Sequence, residues 1–266
     1  MAENSVVDSS IPDVRSYPWY SSRGFQFGDG LFETALFTTN GVRFAAFHAK
    51  RLTEGMAVLQ LQNPLPVSVE QYFESYIPTL LKGIPARLKL MVWRKGGGSY
   101  APASEEADYL LLAMPYGENH RLIEQAHVVS SVQNRAHAAS GFKTLSSLHY
   151  VRAAIEPRSI QNSMPLLATA SGILCEGLQA SLLFYKNGRW HRPSPTTGGI
   201  EGVVTAQLDT TQHKPEQVYW KLSDLDEETI AVLANATGVR QIMQIESQVL
   251  STQTYVVDQL RALLFA

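Results

Sequence analysis

A lysine, an arginine and a glutamate in this chain stand where each could take part in chemistry on a bound carbonyl compound. Lys143 lies in Ser140-Gly141-Phe142-Lys143-Thr144-Leu145, after a small, weakly polar stretch and before an amphipathic helix. An amine that forms a Schiff base must be uncharged near neutral pH, which burial or a nearby cation can achieve. Taken alone, a lysine here is more often a solvated loop residue. Arg51, in His48-Ala49-Lys50-Arg51-Leu52, offers a guanidinium whose donors match two phosphate oxygens at once, with a solvated helix face as the plainer reading. Glu176 follows the apolar run Gly172-Ile173-Leu174-Cys175, so its carboxylate ends a buried strand and needs a partner. A protonated ring nitrogen of a ligand would be one; an arginine in the core would be another. Gly198-Gly199-Ile200-Glu201-Gly202-Val203-Val204 is a glycine-rich lead into a helix, and backbone amides at such a turn suit an anion. Asn235, in Ala234-Asn235-Ala236-Thr237-Gly238, marks a second turn after an apolar strand.

Other chemistries are missing from the sequence. There is no GxGxxG fingerprint, no phosphate-binding GKS or GKT loop, no HExxH and no GxSxG. The histidines are dispersed, and no two stand one helical turn apart, so no metal site is expected. Cys175 is the single cysteine, which excludes an intrachain disulfide. With 22 basic and 24 acidic residues the formal net charge is -2, and no basic cluster exceeds a dipeptide. Attraction to nucleic acid is therefore not expected. The longest apolar runs, such as Leu110 to Met114, are far too short to span a bilayer. Met1 to Ser10 is polar and lacks the basic start and apolar run of a signal peptide. These readings predict a cytoplasmic protein without a nucleic-acid, membrane or metal partner.

The elements that must position these residues mix strands and helices, which predicts an α/β or mixed α+β class. Residues 1 to about 15 read as a loose lead-in rich in Ser, Asp and Pro. Strands are expected at Thr34 to Thr38, Val42 to Phe44, Leu88 to Trp93 and Tyr109 to Met114, with Asn40-Gly41 turning between the first two. Helical spacing covers His48 to Gln60 and Gln71 to Lys82. Pro115-Tyr116-Gly117-Glu118-Asn119 is the best linker, giving a smaller domain at 1–114, a linker at 115–121 and a larger domain at 122–266. In the larger domain, strands are expected at His127 to Val132, Leu166 to Thr169, Ile173 to Leu174, Leu182 to Tyr185, Ile230 to Leu233 and Arg240 to Ile245. Helices are expected at Leu148 to Ile155, Gly202 to Thr210 and Val256 to Leu264.

The order of the motifs says more than any one of them. Arg23-Gly24-Phe25-Gln26-Phe27-Gly28-Asp29-Gly30-Leu31-Phe32-Glu33-Thr34 resembles the opening motif of class IV aminotransferases. His48-x-x-Arg51-Leu52 resembles their cofactor-phosphate helix, and Lys143-Thr144-Leu145-Ser146-Ser147-Leu148 their lysine motif. Glu176-Gly177, Gly202-Val203-Val204 and Ile230 to Ile242 follow in the family's order, so the resemblance covers roughly residues 20 to 250. It implies a two-domain, fold-type IV pyridoxal-phosphate enzyme with the cofactor between the domains, usually a homodimer acting on a small amino substrate. Lys143 would carry pyridoxal 5'-phosphate as a Schiff base and move the proton at the substrate α-carbon. Arg51 would hold the phosphate with the backbone amides of Val203 and Val204 and with Asn235. Glu176 would keep the ring nitrogen protonated, which makes the ring an electron sink. Phe32, Arg94 and Ala236 would face the substrate.

Departures within the motifs narrow the subgroup. Ser181 and Val204 stand where the family often has Asn and Thr. Leu148 stands five positions after the lysine, where branched-chain aminotransferases usually have tyrosine. Arg94-Lys95-Gly96-Gly97-Gly98-Ser99-Tyr100 lacks the Arg-x-His pair of D-amino-acid aminotransferases. The Lys-x-Leu-x-x-Leu motif, the glycine-rich stretch ending in tyrosine and Thr34 are more similar to aminodeoxychorismate lyases, in which the threonine assists proton transfer. The expected reaction is elimination of pyruvate from 4-amino-4-deoxychorismate to give 4-aminobenzoate for folate synthesis. An amino-acid aminotransferase is the alternative, and a non-catalytic relative a third.

Overall fold

The structure is a computed structural model and describes residues 5–116, 122–156 and 163–265. The chain forms two compact units. The first comprises Met1–Gly117 and Phe142–Ser147, and the second Glu118–Gly141 and Leu148–Ala266. A single cut near residue 115 was expected; instead the short piece that carries Lys143 belongs to the first unit. Residues 117–121 of the expected linker lie outside the described residues.

The first unit is built on an antiparallel sheet of β1 (Ser5–Ser9), β2 (Gly30–Thr38), β3 (Gly41–Val42), β4 (Ala86–Arg94) and β5 (Ala107–Met114), in the order β1-β5-β4-β2-β3. Its helices are α1 (Arg23–Phe27), α2 (Ala45–Val58), α3 (Val69–Gln71) and α4 (Ile77–Leu81), the last two joined by a π turn at Tyr72–Tyr76. Alternation along the strands decides which face is buried. Leu31, Ala35 and Phe37 of β2 and Leu88, Leu90 and Val92 of β4 pack against Leu52 and Met56 of α2 and against Tyr72, Phe73 and Ile77. The other face presents Phe32, Thr34, Lys89 and Met91, all half-buried, with Phe32 opposite Met91 and Thr34 opposite Lys89.

Phe142–Ser147 runs along β2. The Phe32 N–H donates to the Lys143 carbonyl (2.7 Å), and the Leu145 N–H donates to the Gly30 carbonyl (2.9 Å). Leu31 and Thr144 form an antiparallel bridge between them. Gly28 makes room for this packing. It ends α1 at φ +65°, and a Cβ there would lie 2.8 Å from the Ser146 backbone.

The expected loose lead-in is corrected at Ser5–Ser9, which forms edge strand β1 against β5. Asp8 explains the order, because the Tyr72 and Tyr109 hydroxyls both donate to its Oδ2, at 2.7 and 3.0 Å. The strand expected at Val42 to Phe44 stops at Val42, since Phe44 turns to φ 56° and caps α2, which begins three residues earlier than helical spacing indicated.

The second unit contains one sheet of β9 (Ser181–Lys186), β10 (Arg189–Pro193), β11 (Glu216–Val218), β12 (Ile230–Asn235) and β13 (Gly238–Ile242), ordered β11-β10-β9-β12-β13. A second sheet holds β6 (Gln125–Gln133), β7 (Ser163–Ala168), β8 (Leu174–Gly177), β14 (Gln244–Ile245) and β15 (Gln248–Val249), ordered β15-β14-β6-β7-β8. The strand expected over Arg240 to Ile245 is therefore split between sheets: β13 pairs with β12, and β14 with β6. Leu166, Leu174, Leu182, Phe184, Ala231, Leu233 and Ile242 share a core between them. Helix α5 (Leu148–Ile155) buries Ala153 with Val129, Val132 and Leu167, α6 (Val203–Leu208) starts at Gly202, and α7 (Tyr255–Phe265) buries Val257, Leu260 and Leu264. Among the described residues no helix is long and apolar enough to cross a membrane, and no group of His, Cys, Asp and Glu could hold a metal ion.

Replacing Asp8 with Ala removes two hydrogen bonds to a charged acceptor, so β1 should loosen by about 1–3 kcal/mol. Amide exchange at Ser5–Ser9 should accelerate; unchanged protection would show that strand pairing alone holds β1.

Candidate active site

In the first unit, the strand pairing just described sets Lys143 beside Phe32, with both side chains on the half-buried sheet face. The Lys143 Nζ stands 4.8 Å from the centre of the Phe32 ring, and the Lys89 Nζ 5.2 Å from the same centre. Thr34 lies two residues beyond Phe32, on the same face. Amine, aromatic ring and hydroxyl are thus gathered on one surface, together with a second lysine, Lys89, that no motif marks.

Behind that sheet, β2 and α2 share a buried ionic group. Glu33 is 2% exposed, His48 0% and Arg51 9%. The Arg51 Nε donates to Glu33 Oε1 at 2.7 Å, its Nη2 donates to Oε2 at 2.5 Å, and the His48 Nδ1 donates to Oε2 at 2.7 Å. Burial pushes the Glu33 carboxyl up, but the Arg51 charge and the hydrogen bonds of Arg51 and His48 outweigh it and hold its pKa at about 2. Burial lowers the His48 pKa despite Glu33, so its imidazole is neutral, protonated at Nδ1, with a buried Nε2 that meets no partner among the described residues. Arg51 is thereby fixed in direction by a two-point contact. The sequence shows Glu33 and His48 within the two opening motifs, but only the fold reveals that they grip the arginine.

Arg94, expected to face the substrate, is buried. Its side chain is 6% exposed. Its Nε donates to Asp29 Oδ2 (3.0 Å), its Nη1 to the Gln60 and Ser104 carbonyls (3.1 and 3.0 Å), and its Nη2 to the Leu59 carbonyl. In this structure Arg94 braces loops. Arg23 meets the same Asp29 oxygen (2.8 Å) and donates to the Gly97, Gly98 and Ser99 carbonyls, which holds the glycine-rich stretch.

In the second unit, β8 places Glu176 at 5% exposure. Its carboxylate accepts from Asn134 Nδ2 (2.8 Å), the Tyr150 hydroxyl (2.8 Å) and the Ile200 N–H (3.1 Å). These three donors are neutral groups. Cys175 is buried beside it with a thiol pushed up to about 11, chiefly by burial, so it adds no second anion at neutral pH.

The glycine-rich turn follows from there. Gly202 precedes α6, whose first N–H groups have no acceptor within the helix. A Cβ at Gly202 would lie 1.9 Å from the Ser181 Oγ, so a larger residue there requires the Ser181 side chain to move. Val203 and Val204 are 5% and 0% exposed: the Val204 side chain belongs to the core, which accounts for an apolar residue at that position. Glu201 is exposed, and its N–H donates to the Gly141 carbonyl (3.0 Å). The Asn235 side chain closes its own turn, accepting from the Thr237 N–H (2.9 Å) and hydroxyl (2.6 Å) and donating to the Gln179 carbonyl (3.1 Å). Ala236, at 5% exposure, sits at the centre of that turn.

Glu33 gives the first unit a specific acid sensitivity. Its folded pKa is depressed, so its contribution is present above the ordinary value of 4.5 and is lost as pH falls through about 2. Urea midpoints should fall across that window, and Glu33→Gln should be less stable at neutral pH but flatter with acid. Equal slopes in both proteins would contradict the ion-paired assignment.

A sequence profile described as amino-transferase class IV matches residues 30–245. No curated protein matches the chain in sequence. Among solved structures, 4-amino-4-deoxychorismate lyase from Pseudomonas aeruginosa is similar at TM-score 0.78 and 23% identity, over 98% of both chains. Branched-chain amino acid aminotransferase from Escherichia coli is similar at TM-score 0.74 and 17% identity, over 90% of this chain and 86% of that one. A pyridoxal-phosphate-bound hypothetical aminotransferase from Mycobacterium tuberculosis is similar at TM-score 0.77 and 14% identity, over 99% and 97%. At these identities the likeness establishes the fold, a mixed α/β architecture shared by lyase and aminotransferase alike. The profile spans most of the chain, and so this protein belongs to the class IV aminotransferase family of pyridoxal-phosphate-dependent lyases and transaminases.

Proposed function

We propose that this chain is a 4-amino-4-deoxychorismate lyase, releasing pyruvate and 4-aminobenzoate, with pyridoxal 5'-phosphate held by Lys143. The observation that carries the lyase reading is the shared sheet face of Lys143, Phe32 and Thr34, which gives the amine a hydroxyl as companion. Leu148, at 69% exposure, puts an apolar side chain where branched-chain aminotransferases usually carry tyrosine, and this supports the same choice.

The residues fit the cofactor. A buried carboxylate that accepts from an amide and a phenol suits a protonated ring nitrogen, and a glycine turn where a Cβ would meet Ser181 suits close approach of backbone amides to a phosphate. Arg51, Val203, Val204 and Asn235 are the proposed phosphate residues, with Asn235 acting through the turn it closes. Bound there, the cofactor supplies an electron sink for the carbanion. The Lys143 Nζ takes the proton from the ring carbon that bears the substrate amino group. Thr34 Oγ1 supplies a proton to the enolpyruvyl oxygen as its bond to the ring breaks, so the ring becomes aromatic and the enol that leaves tautomerises to pyruvate. Phe32 walls the amine on the sheet side, and Ala236 offers a small surface to the substrate. The protein works in folate synthesis, in the cytoplasm and as a homodimer.

Two experiments test this reading. Protein loaded with pyridoxal phosphate and supplied with aminodeoxychorismate should release pyruvate and 4-aminobenzoate in equal amounts. Loaded protein that releases neither but transfers amino groups would be an aminotransferase. Lys143→Ala should lose turnover by several orders of magnitude, and retained turnover would sink the lysine assignment. Gly202→Ala should bind the cofactor more weakly, and Ser181→Ala in the same chain should restore most of the binding. No rescue would mean that the turn does not serve the phosphate.

A further inference from the structure

The carboxylate of Glu176 is held by more than its proposed role requires. It is almost wholly buried and accepts from an amide, a phenol and a backbone N–H. Burial alone favours the neutral acid. Donors favour the anion, and here two side chains from different elements converge on a single oxygen, Oε1. Asn134 reaches it from the end of β6, where its own N–H is anchored on the Ala168 carbonyl at 2.9 Å. Tyr150 reaches it from α5, with its ring packed among Val129, Val132, Ala153 and Leu167. The Ile200 N–H takes the second oxygen, Oε2.

We propose that Asn134 and Tyr150 are positioning residues that keep Glu176 ionised and aimed, and thereby decide where the proton between Glu176 and the cofactor ring nitrogen resides. The proposal rests on the reading that Glu176 meets that nitrogen. A proton shared between a carboxylate and a pyridine nitrogen sits on the nitrogen when the carboxylate is the better-stabilised anion. Two side-chain donors and one backbone donor contribute that stabilisation. The Tyr150 phenol remains a donor throughout the working range, because burial first, and then the Glu176 charge and hydrogen bond, raise its pKa far above the ordinary value. Neither residue touches the reacting atoms in this scheme; each acts through Glu176.

The test uses holoenzyme made with cofactor labelled with nitrogen-15 in the ring, read by its NMR shift, with cofactor affinity measured alongside. Glu176→Gln should move the ring nitrogen to its unprotonated position. Tyr150→Phe, which keeps the packed ring, and Asn134→Leu, which keeps most of the volume, should each move it part of the way and raise the cofactor dissociation constant about tenfold, the loss of one hydrogen bond to a charged group. The double variant should approach Glu176→Gln. If Glu176→Gln moves the signal while Tyr150→Phe and Asn134→Leu leave it at the wild-type position, the positioning proposal is overturned and the Glu176 reading survives. If Glu176→Gln itself has no effect, the underlying reading fails, and with it the proposal.

Discussion

A short stretch of backbone pairing places the lysine on which the proposed chemistry depends. The Phe32 N–H bonds to the Lys143 carbonyl, and the Leu145 N–H to the Gly30 carbonyl. Those two bonds convert a loop lysine, far along the chain, into an extra strand residue of the first sheet. Strand alternation then does the rest, because a residue paired with Phe32 must send its side chain to the same face as Phe32 and Thr34. The glycines of the opening motif serve this pairing: Gly28 adopts a left-handed turn and leaves space for Ser146. A motif near the start of the chain and a lysine more than a hundred residues later are thus one structural device.

Two buried carboxylates show opposite solutions to the same cost. Glu33 is compensated by a guanidinium and an imidazole, so its charge is matched and the arginine is fixed. Glu176 accepts from an amide, a phenol and a backbone N–H. The first arrangement is suited to holding another group in place. The second steadies a carboxylate by hydrogen bonds from neutral groups.

Much of this was legible in the sequence where signals were local. Strand β2, helix α2 and helix α5 follow from periodicity, and the ordered motifs indicated the family. Non-local features were not legible. Strand β1 depends on two tyrosine hydroxyls, from Tyr72 and Tyr109, reaching Asp8 across the first unit. The break between β13 and β14 reflects pairing with strands of different sheets. The carbonyls that engage Arg94 come from distant loops, which no local pattern indicates. Asn134 and Tyr150 carry no motif, and only convergence on Glu176 identifies them.

The second lysine beside Phe32 makes the central claim directly testable. Protein loaded with pyridoxal phosphate is reduced with borohydride, digested and mapped by mass spectrometry. The account predicts a single phosphopyridoxyl label, on Lys143. A label on Lys89, whose Nζ stands at 5.2 Å from the same ring, or on lysines scattered over the surface, would contradict it.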